Sequence, residues 1–318
     1  MSRLLYGEYE NWISAVLARH ITPQARQSPD EIPAARAFWD LSHINRNLPD
    51  LAVVHDSVQL RQRNGHPLTA EIYVPHSPTP APVLLYLHGG SWCLWSASHV
   101  RRQAMLFAEH GFATLNLDYG LAPEFPFPWA FDDTEYALDW IEDNMADFGG
   151  DPSRVVVAGD SAGANLVAAS VLNRAFRKDG ASLSRVLGAV LLYGVFDFPL
   201  LFQEPGTARG TGVIETTWNQ AYLGPNYLTH HLDSRVSPVY ATNLHEFPPT
   251  YLSCGDRDSL LPQSMRMAKA LVAAGVETRL SVVPNADHEF LLLDETVAAA
   301  RRELDAIFQW LDDLLAGV

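Results

Sequence analysis

The ten residues RVVVAGDSAG, from Arg154 to Gly163, give the strongest indication of how this chain folds. Their first half is apolar and rich in β-branched valine, which favours a buried strand. The alanine-rich stretch ANLVAASVL at 164–172 favours a helix directly afterwards. A serine between such a strand and such a helix lies on a tight turn, with its hydroxyl exposed above the sheet. Ser161 is therefore the candidate nucleophile, against the alternative of an ordinary glycine-rich turn.

Two glycines flank this serine, and a helix begins immediately after it. We expect a Cβ at Gly159 or Gly163 to clash as the chain doubles back on itself. The start of the helix offers unpaired N–H groups and the positive end of a dipole close to the serine oxygen. The local sequence thus predicts a turn that exposes and activates a hydroxyl group.

Composition limits the class of protein. With 318 residues, of which 47% are hydrophobic, the chain can bury a large core. A net charge of −15 argues against nucleic acid and anionic membrane surfaces as partners. The N-terminus lacks a signal-like apolar run, and no run reaches membrane-spanning length. Cys93 and Cys254 are too few for a disulfide framework. We expect a soluble, cytoplasmic protein without stable membrane insertion.

Strand-like and helical segments alternate along most of the chain. Besides the strand before Ser161, strand-like segments lie at 52–60, 68–74, 82–88, 112–118, 186–194, 250–254 and 278–283. The first two are joined by the hairpin signal Asn64-Gly65. Helical periodicity covers 97–110, 130–147, 261–274 and 294–315. This alternation predicts an α/β fold in which a mostly parallel, eight-stranded sheet carries helices on both faces.

Two regions break the alternation. Residues 1–50 have an amphipathic helical pattern, and residues 196–247 are rich in Phe, Pro, Gly and Tyr. We assign both to a helical cap, and residues 51–195 together with 248–318 to the catalytic domain. The cap is expected to cover the carboxyl edge of the sheet, where ligands of open α/β sheets bind.

A serine hydroxyl needs a base to become a nucleophile, and the base needs an orienting acid. Asp258 follows the strand-like segment 250–254, and His288 follows the segment 278–283. Both therefore fall on loops at the sheet edge of Ser161, in the chain order Ser, Asp, His. Asp256 is a rival acid, but we assign it to capping or bracing its loop.

The tetrahedral intermediate of acyl transfer needs donors for its oxyanion. The sequence His88-Gly89-Gly90-Ser91-Trp92 follows the strand-like segment 84–87, where a glycine-rich turn can aim N–H groups inward. A plain tight turn is the alternative. The position of the motif, after the strand that supplies this loop in such folds, favours the oxyanion role.

Together these motifs resemble the hormone-sensitive-lipase-like branch of the α/β-hydrolases. The likeness is carried, in chain order, by HGG at 88–90, DYGLAPE at 118–124 with Pro126 and Pro128, GDSAG at 159–163, Ser237-Pro238, Pro248-Pro249, Gly255-x-x-Asp258-x-Leu260 and His288-x-Phe290.

The resemblance implies an α/β-hydrolase fold with Ser161 as nucleophile, His288 as base and Asp258 as orienting acid. It also implies oxyanion donors at Gly90, Ser91 and Ala162. The branch uses no metal or organic cofactor. Its members act on carboxylic esters with short to medium acyl groups, so the implied partner is a small-molecule ester.

Two residues depart from the family pattern. Ser91 stands where the family usually has a third glycine; its N–H is retained, but its φ is more restricted. Glu289 stands where glycine is favoured, beside the base. A carboxylate there either raises the pKa of His288 or faces water, and we favour the second. We assign Asp118, Tyr119 and Glu124 to scaffolding, and Asp160 to bracing the turn at Ser161.

The sequence allows several interpretations of the substrate pocket and of the reaction. An apolar pocket is our hypothesis, although core packing is the better interpretation of each aromatic taken singly. The set comprises Trp92, Trp95, Phe196, Phe202, Trp218, Tyr222 and Phe290.

His-Gly-Gly-x-Trp also resembles arylformamidase-type hydrolases, which cleave N-formyl aromatic amines. A catalytically silent ligand receptor of this fold is a further hypothesis, as is acyl transfer or lactone closure by the same serine. A homodimer is left open.

Overall fold

The computed structural model describes residues 32, 36, 44–77, 80–176, 186–203, 212–224 and 227–317. The predicted N-terminal cap helices lie almost entirely outside these residues, as does the side chain of Phe202. The division into a cap and a catalytic domain therefore stays a prediction.

The described chain contains eight strands: β1 (Val53–Arg63), β2 (His66–Val74), β3 (Ala81–Leu87), β4 (Ala113–Asp118), β5 (Gly150–Asp160), β6 (Val186–Leu192), β7 (Thr250–Gly255) and β8 (Thr278–Val283). They form one sheet in the order β1-β2-β4-β3-β5-β6-β7-β8. β1 and β2 are antiparallel, as are β2 and β4, and the other pairs are parallel. The predicted α/β architecture is confirmed.

Helices connect these strands: α1 (Arg101–Glu109), α2 (Trp129–Asn144), α3 (Ala162–Phe176), α4 (Phe198–Gln203), α5 (Gly212–Leu223), α6 (Tyr227–His230), α7 (Leu261–Ala273) and α8 (Ala298–Ala316). Helices α4 to α6 lie between β6 and β7, where the sequence lost its alternation. None of the helices in the described ranges combines the length and apolar character that crossing a membrane requires.

The register aligns the carboxyl ends of the central strands. Leu87 of β3 pairs with Gly159 of β5, and Asp160 pairs with Leu192 of β6. On the other side, Gly255 of β7 pairs with Val283 of β8. The loops after β3, β5, β6, β7 and β8 therefore leave the sheet at one edge, which brings distant parts of the sequence together.

Burial explains why β6 and the second half of β5 carry runs of consecutive apolar residues. Every residue from Val155 to Asp160 is buried, and so are the last six residues of β6. Strands of a parallel sheet that is covered on both faces need apolar side chains at each position rather than at alternate ones. The hairpin between β1 and β2 turns at Asn64 and Gly65, whose φ angles are 51° and 81°, as that dipeptide predicted.

Several element boundaries differ from the sequence prediction, and two of these differences have a clear structural reason. β5 begins at Gly150 rather than at Arg154, because Gly150 and Asp151 already pair with β3 across a register shift. The C-terminal helix begins at Ala298 rather than at 294. Asp294 instead turns inward, where its carboxylate accepts a 2.8 Å hydrogen bond from the Arg102 guanidinium.

Candidate active site

The turn between β5 and α3 holds Ser161 in a strained backbone conformation. Its φ is +52°, a region that side chains rarely adopt, and its own N–H donates to the carbonyl of Leu192 at 2.8 Å. A Cβ on Gly159 would lie 2.6 Å from the backbone of Gly163, and one on Gly163 would collide with the carbonyl of Leu87. The tight packing that the flanking glycines predicted is thus present.

Three side chains from three strand ends meet at this turn. His288 Nε2 lies 3.0 Å from Ser161 Oγ, and His288 Nδ1 lies 2.7 Å from Asp258 Oδ2. In the tautomer that fits both contacts, the serine hydroxyl donates to Nε2 while Nδ1–H donates to the carboxylate. Asp258 is buried, and its other oxygen accepts the N–H of Leu260 at 2.8 Å. The rival acid, Asp256, is exposed to solvent.

The charge around the imidazole is negative. Burial alone would lower the pKa of His288, but the charge and hydrogen bond of Asp258 oppose it. Glu289 and Asp160 act in the same direction, and together the three carboxylates raise the pKa of His288 to about 9. The site therefore stabilises the imidazolium that proton transfer from Ser161 would create.

The expectation that Glu289 faces water is wrong. Its side chain is only 12% exposed, and its Oε1 lies 4.0 Å from His288 Nε2. Its backbone has a φ of +62°, which directs the residue after His288 back toward the site. The sequence shows that Glu289 stands where the family favours glycine. The direction of its side chain, however, depends on this left-handed backbone conformation.

Tyr193 contacts the imidazole and was missed by the sequence analysis. Its ring meets that of His288 edge-on, with ring centroids 5.0 Å apart. Tyr193 follows directly after β6, so it emerges at the same sheet edge as Ser161. Its position directly after a strand, at the carboxyl edge of the sheet, was the signal that could have identified it.

The turn after β3 holds three consecutive residues with positive φ: Gly90 at 99°, Ser91 at 52° and Trp92 at 59°. The carbonyl of Gly90 accepts N–H groups from Cys93 at 3.0 Å and Leu94 at 2.8 Å, which closes the turn. The N–H groups of Gly90, Ser91 and Ala162 are not donors in any of the backbone hydrogen bonds that the described loops and turns form. Their predicted role as oxyanion donors stays a prediction that this arrangement allows.

Asp160 links this turn to the one at Ser161. It is fully buried, and its Oδ1 accepts the Tyr86 hydroxyl at 2.9 Å. The backbone of Gly89 packs so closely that a Cβ there would lie 2.5 Å from Asp160 Oδ2. Burial raises the pKa of Asp160 to about 6. This placement agrees with the bracing role assigned from the sequence.

The 118–124 segment packs against the turn after β3. The Tyr119 ring stacks on His88 with centroids 4.3 Å apart, and its hydroxyl donates to the His88 carbonyl at 2.7 Å. Burial lowers the pKa of His88 to about 3, so this histidine is neutral and serves packing. The N–H of Ala122 donates to the Trp92 carbonyl at 2.9 Å. These contacts fit a scaffolding role.

Trp92, one of the aromatic residues predicted to line a pocket, packs against helices α4 and α5. The Trp92 ring stacks on Tyr222 with centroids 4.3 Å apart and contacts Phe198 at 5.2 Å. Trp92, Trp95, Phe196 and Phe290 are buried, whereas Trp218 is half-buried. Their role as a substrate pocket stays a prediction. Among the described residues, no cluster of three His, Cys, Asp or Glu side chains could hold a metal ion.

Comparisons with known proteins place this geometry in context. Residues 84–292, which include Ser161, Asp258 and His288, match the family model described as the alpha/beta hydrolase fold. The chain is 28% identical over 306 residues to an ethyl acetate hydrolase of Pseudomonas putida, a match that covers 94% of each protein. It is 32% identical over 232 residues to a carboxylesterase of Mycobacterium tuberculosis, covering 69% of each.

A solved structure shows the same architecture. The esterase of Pyrobaculum calidifontis superposes with a TM-score of 0.78 at 25% sequence identity. The superposition covers 93% of the present chain and 99% of that esterase. The similarity therefore extends over nearly all of both chains.

Proposed function

We propose that this chain, which belongs to the α/β-hydrolase family and to its hormone-sensitive-lipase-like branch, hydrolyses carboxylic esters through an acyl-enzyme. The observation that carries the proposal is the pair of contacts from His288, 3.0 Å to Ser161 Oγ and 2.7 Å to Asp258 Oδ2. A nucleophile, a base and an orienting acid in hydrogen-bonding series are what acyl transfer by serine requires.

In the first half of the reaction, Ser161 Oγ attacks the acyl carbon while its proton passes to His288 Nε2. The carboxylate of Asp258 holds the imidazole tautomer and stabilises the imidazolium. N–H groups of Gly90, Ser91 and Ala162 stabilise the oxyanion. The tetrahedral intermediate then collapses, the ester C–O bond breaks, and His288 returns its proton to the leaving alkoxide.

In the second half, water takes the place of the alcohol. His288 accepts a proton from the water as its oxygen attacks the acyl-enzyme carbonyl. Collapse of this second intermediate releases the carboxylic acid and returns the proton to Ser161 Oγ. No step needs a cofactor, because each proton moves between Ser161, His288, the leaving alcohol and water.

A substrate panel tests this proposal. Purified protein and the Ser161→Ala variant would be assayed with p-nitrophenyl esters of increasing acyl length, an aromatic ester, a lactone and an N-formyl aromatic amine. We expect turnover of the short and medium esters by the wild type and none by the folded variant. Retained activity in the variant would remove Ser161 from the mechanism.

The same panel separates ester hydrolysis from the competing functions. Preferred cleavage of the N-formyl amine would favour the arylformamidase interpretation, which the His88-Gly89-Gly90-Ser91-Trp92 motif motivates. No turnover and no labelling by a fluorophosphonate would favour a silent receptor. A preference for acetyl, without gain for bulkier or aromatic acyl groups, would refute an aromatic pocket formed by Trp92, Trp95, Phe196, Trp218 and Phe290.

A cytoplasmic location is also proposed. Cys93 and Cys254 are both buried free cysteines, which is the usual state of thiols in a reducing compartment.

A further inference from the structure

The turn that carries the proposed oxyanion donors is held in a conformation that its residues do not favour. Gly90, Ser91 and Trp92 all have positive φ, and two of them carry side chains. Such conformations persist only where surrounding contacts over-determine them. The turn must therefore be held by contacts from neighbouring segments, and these contacts determine where its N–H groups lie.

The Arg36 side chain contacts both the turn and the 118–124 segment that packs against it. Arg36 Nε donates to the carbonyl of Cys93 at 2.6 Å, at the end of the turn. Arg36 Nη2 donates to the carbonyl of Ala122 at 2.6 Å, and the N–H of Ala122 in turn donates to the carbonyl of Trp92 at 2.9 Å. The guanidinium thus joins the turn to the segment that supports it.

Glu124 orients this guanidinium. Its two carboxylate oxygens accept one hydrogen bond each from Nη1 and Nη2 of Arg36, both at 2.8 Å. The Glu124 side chain is 41% exposed, so the ion pair by itself contributes little to the stability of the fold. Its planar, two-point geometry instead fixes the direction in which the other donors of Arg36 point.

We propose that Arg36 is a positioning residue for the oxyanion turn. Arg36 touches no reacting atom; it acts by holding Cys93 and Ala122, and through them the backbone of Gly90 and Ser91. The proposal rests on the proposed ester hydrolysis. It adds that full turnover requires the Arg36 guanidinium to bind the carbonyls of Cys93 and Ala122.

The test compares Arg36→Ala and Arg36→Lys with a matched control, Arg154→Ala. Arg154 likewise pairs with a carboxylate, Asp151 at 3.0 Å, and donates to a backbone carbonyl, Pro80 at 3.0 Å. It lies in the amino-terminal half of β5, whereas Ser161 follows the carboxyl end of that strand. Removing it therefore costs similar contacts without reaching the oxyanion turn.

We expect kcat for a p-nitrophenyl ester to fall about 10- to 100-fold in Arg36→Ala, with KM nearly unchanged, because small misplacements of transition-state donors have effects of that size. Affinity for a trifluoromethyl ketone, which forms a tetrahedral adduct on serine, should fall in parallel. Free guanidinium below denaturing concentrations should restore part of kcat, whereas sodium chloride at equal concentration should not. Arg36→Lys should show an intermediate loss of kcat, since the lysine ammonium lacks the planar set of donors with which a guanidinium binds two groups at once. Arg154→Ala should keep wild-type kcat.

Rates would be normalised to active sites titrated with a fluorophosphonate, so that loss of folded protein does not count as loss of turnover. Normalised kcat and ketone affinity equal to those of Arg154→Ala would overturn the proposal, as would a loss that guanidinium leaves unchanged. Wild-type protein without ester turnover would overturn the proposed function as well. An active wild type with an unaffected Arg36→Ala variant would overturn only the role of Arg36.

Discussion

Under the proposed mechanism, Glu289 raises the pH above which His288 can act as the base, so replacing Glu289 should shift the pH dependence of activity in a predictable direction. In that mechanism His288 accepts a proton only when its imidazole is neutral, whereas a carboxylate beside Nε2 favours the protonated form. The groups that face this imidazole are Asp258 after β7, Asp160 at the end of β5, Tyr193 after β6, and Glu289 itself. Glu289→Gln removes one negative charge while keeping size and backbone, so the pKa of His288 should fall.

The magnitude follows from the distance of 4.0 Å between Glu289 Oε1 and His288 Nε2. Two unit charges at that distance interact with about 1 kcal/mol in water and about 4 kcal/mol at the effective dielectric constant near a protein surface. The His288 side chain is 33% exposed, so solvent screening favours the lower part of this range. About 1–2 kcal/mol corresponds to a fall of about 0.7–1.5 in pKa.

The assay is the pH profile of kcat/KM for a neutral ester at constant ionic strength, whose acid limb reports the free base. In the wild type that limb should lie above the ordinary imidazole pKa of about 6.5. In Glu289→Gln it should move to lower pH by about one unit, so activity rises at acidic pH. Asp256→Asn is the control, since that carboxylate is exposed on the neighbouring loop. An unmoved limb in Glu289→Gln, or an equal shift in Asp256→Asn, would refute the reasoning.

Two further substitutions test the site and the turn that carries it. Asp258→Asn should lower kcat about 10⁴-fold, because the amide no longer holds the required tautomer, while Asp256→Asn stays near wild type; steady-state kinetics on one ester decides between the two acids. Gly163→Ala should destabilise the fold by about 1–3 kcal/mol, since its Cβ would collide with the carbonyl of Leu87. Gly317→Ala, where a Cβ meets only ordinary contacts at 3.6 Å and beyond, should change the unfolding free energy by less than about 0.5 kcal/mol in urea titrations.

The features that the sequence predicted well are those fixed by local pattern and chain order. The valine-rich β5 and the alanine-rich α3 differ in period and composition, so the turn at Ser161 could be located from the residues alone. Asp258 and His288 follow successive parallel strands, and parallel strands end at one edge. Their meeting with Ser161 thus followed from topology without knowledge of any distance.

Contacts between distant segments with no pattern of their own could not be predicted. Arg36 is separated from Cys93 by 57 positions and from Ala122 by 86, and nothing in the residues near it indicates those carbonyls. The position of Glu289 beside the base depends on a single left-handed backbone angle. Aromatic residues such as Trp92 have the same composition signal whether they fill a core or line a pocket.

The central claim is that Ser161 carries the acyl group between the two halves of the reaction. Mass spectrometry of protein that is acid-quenched during turnover of a slow ester, followed by proteolysis, tests it most directly. We predict an added acyl mass on the peptide that contains Ser161, which disappears in Ser161→Ala. Turnover with that peptide unmodified at every time point, or an acyl group on another residue, would contradict the account.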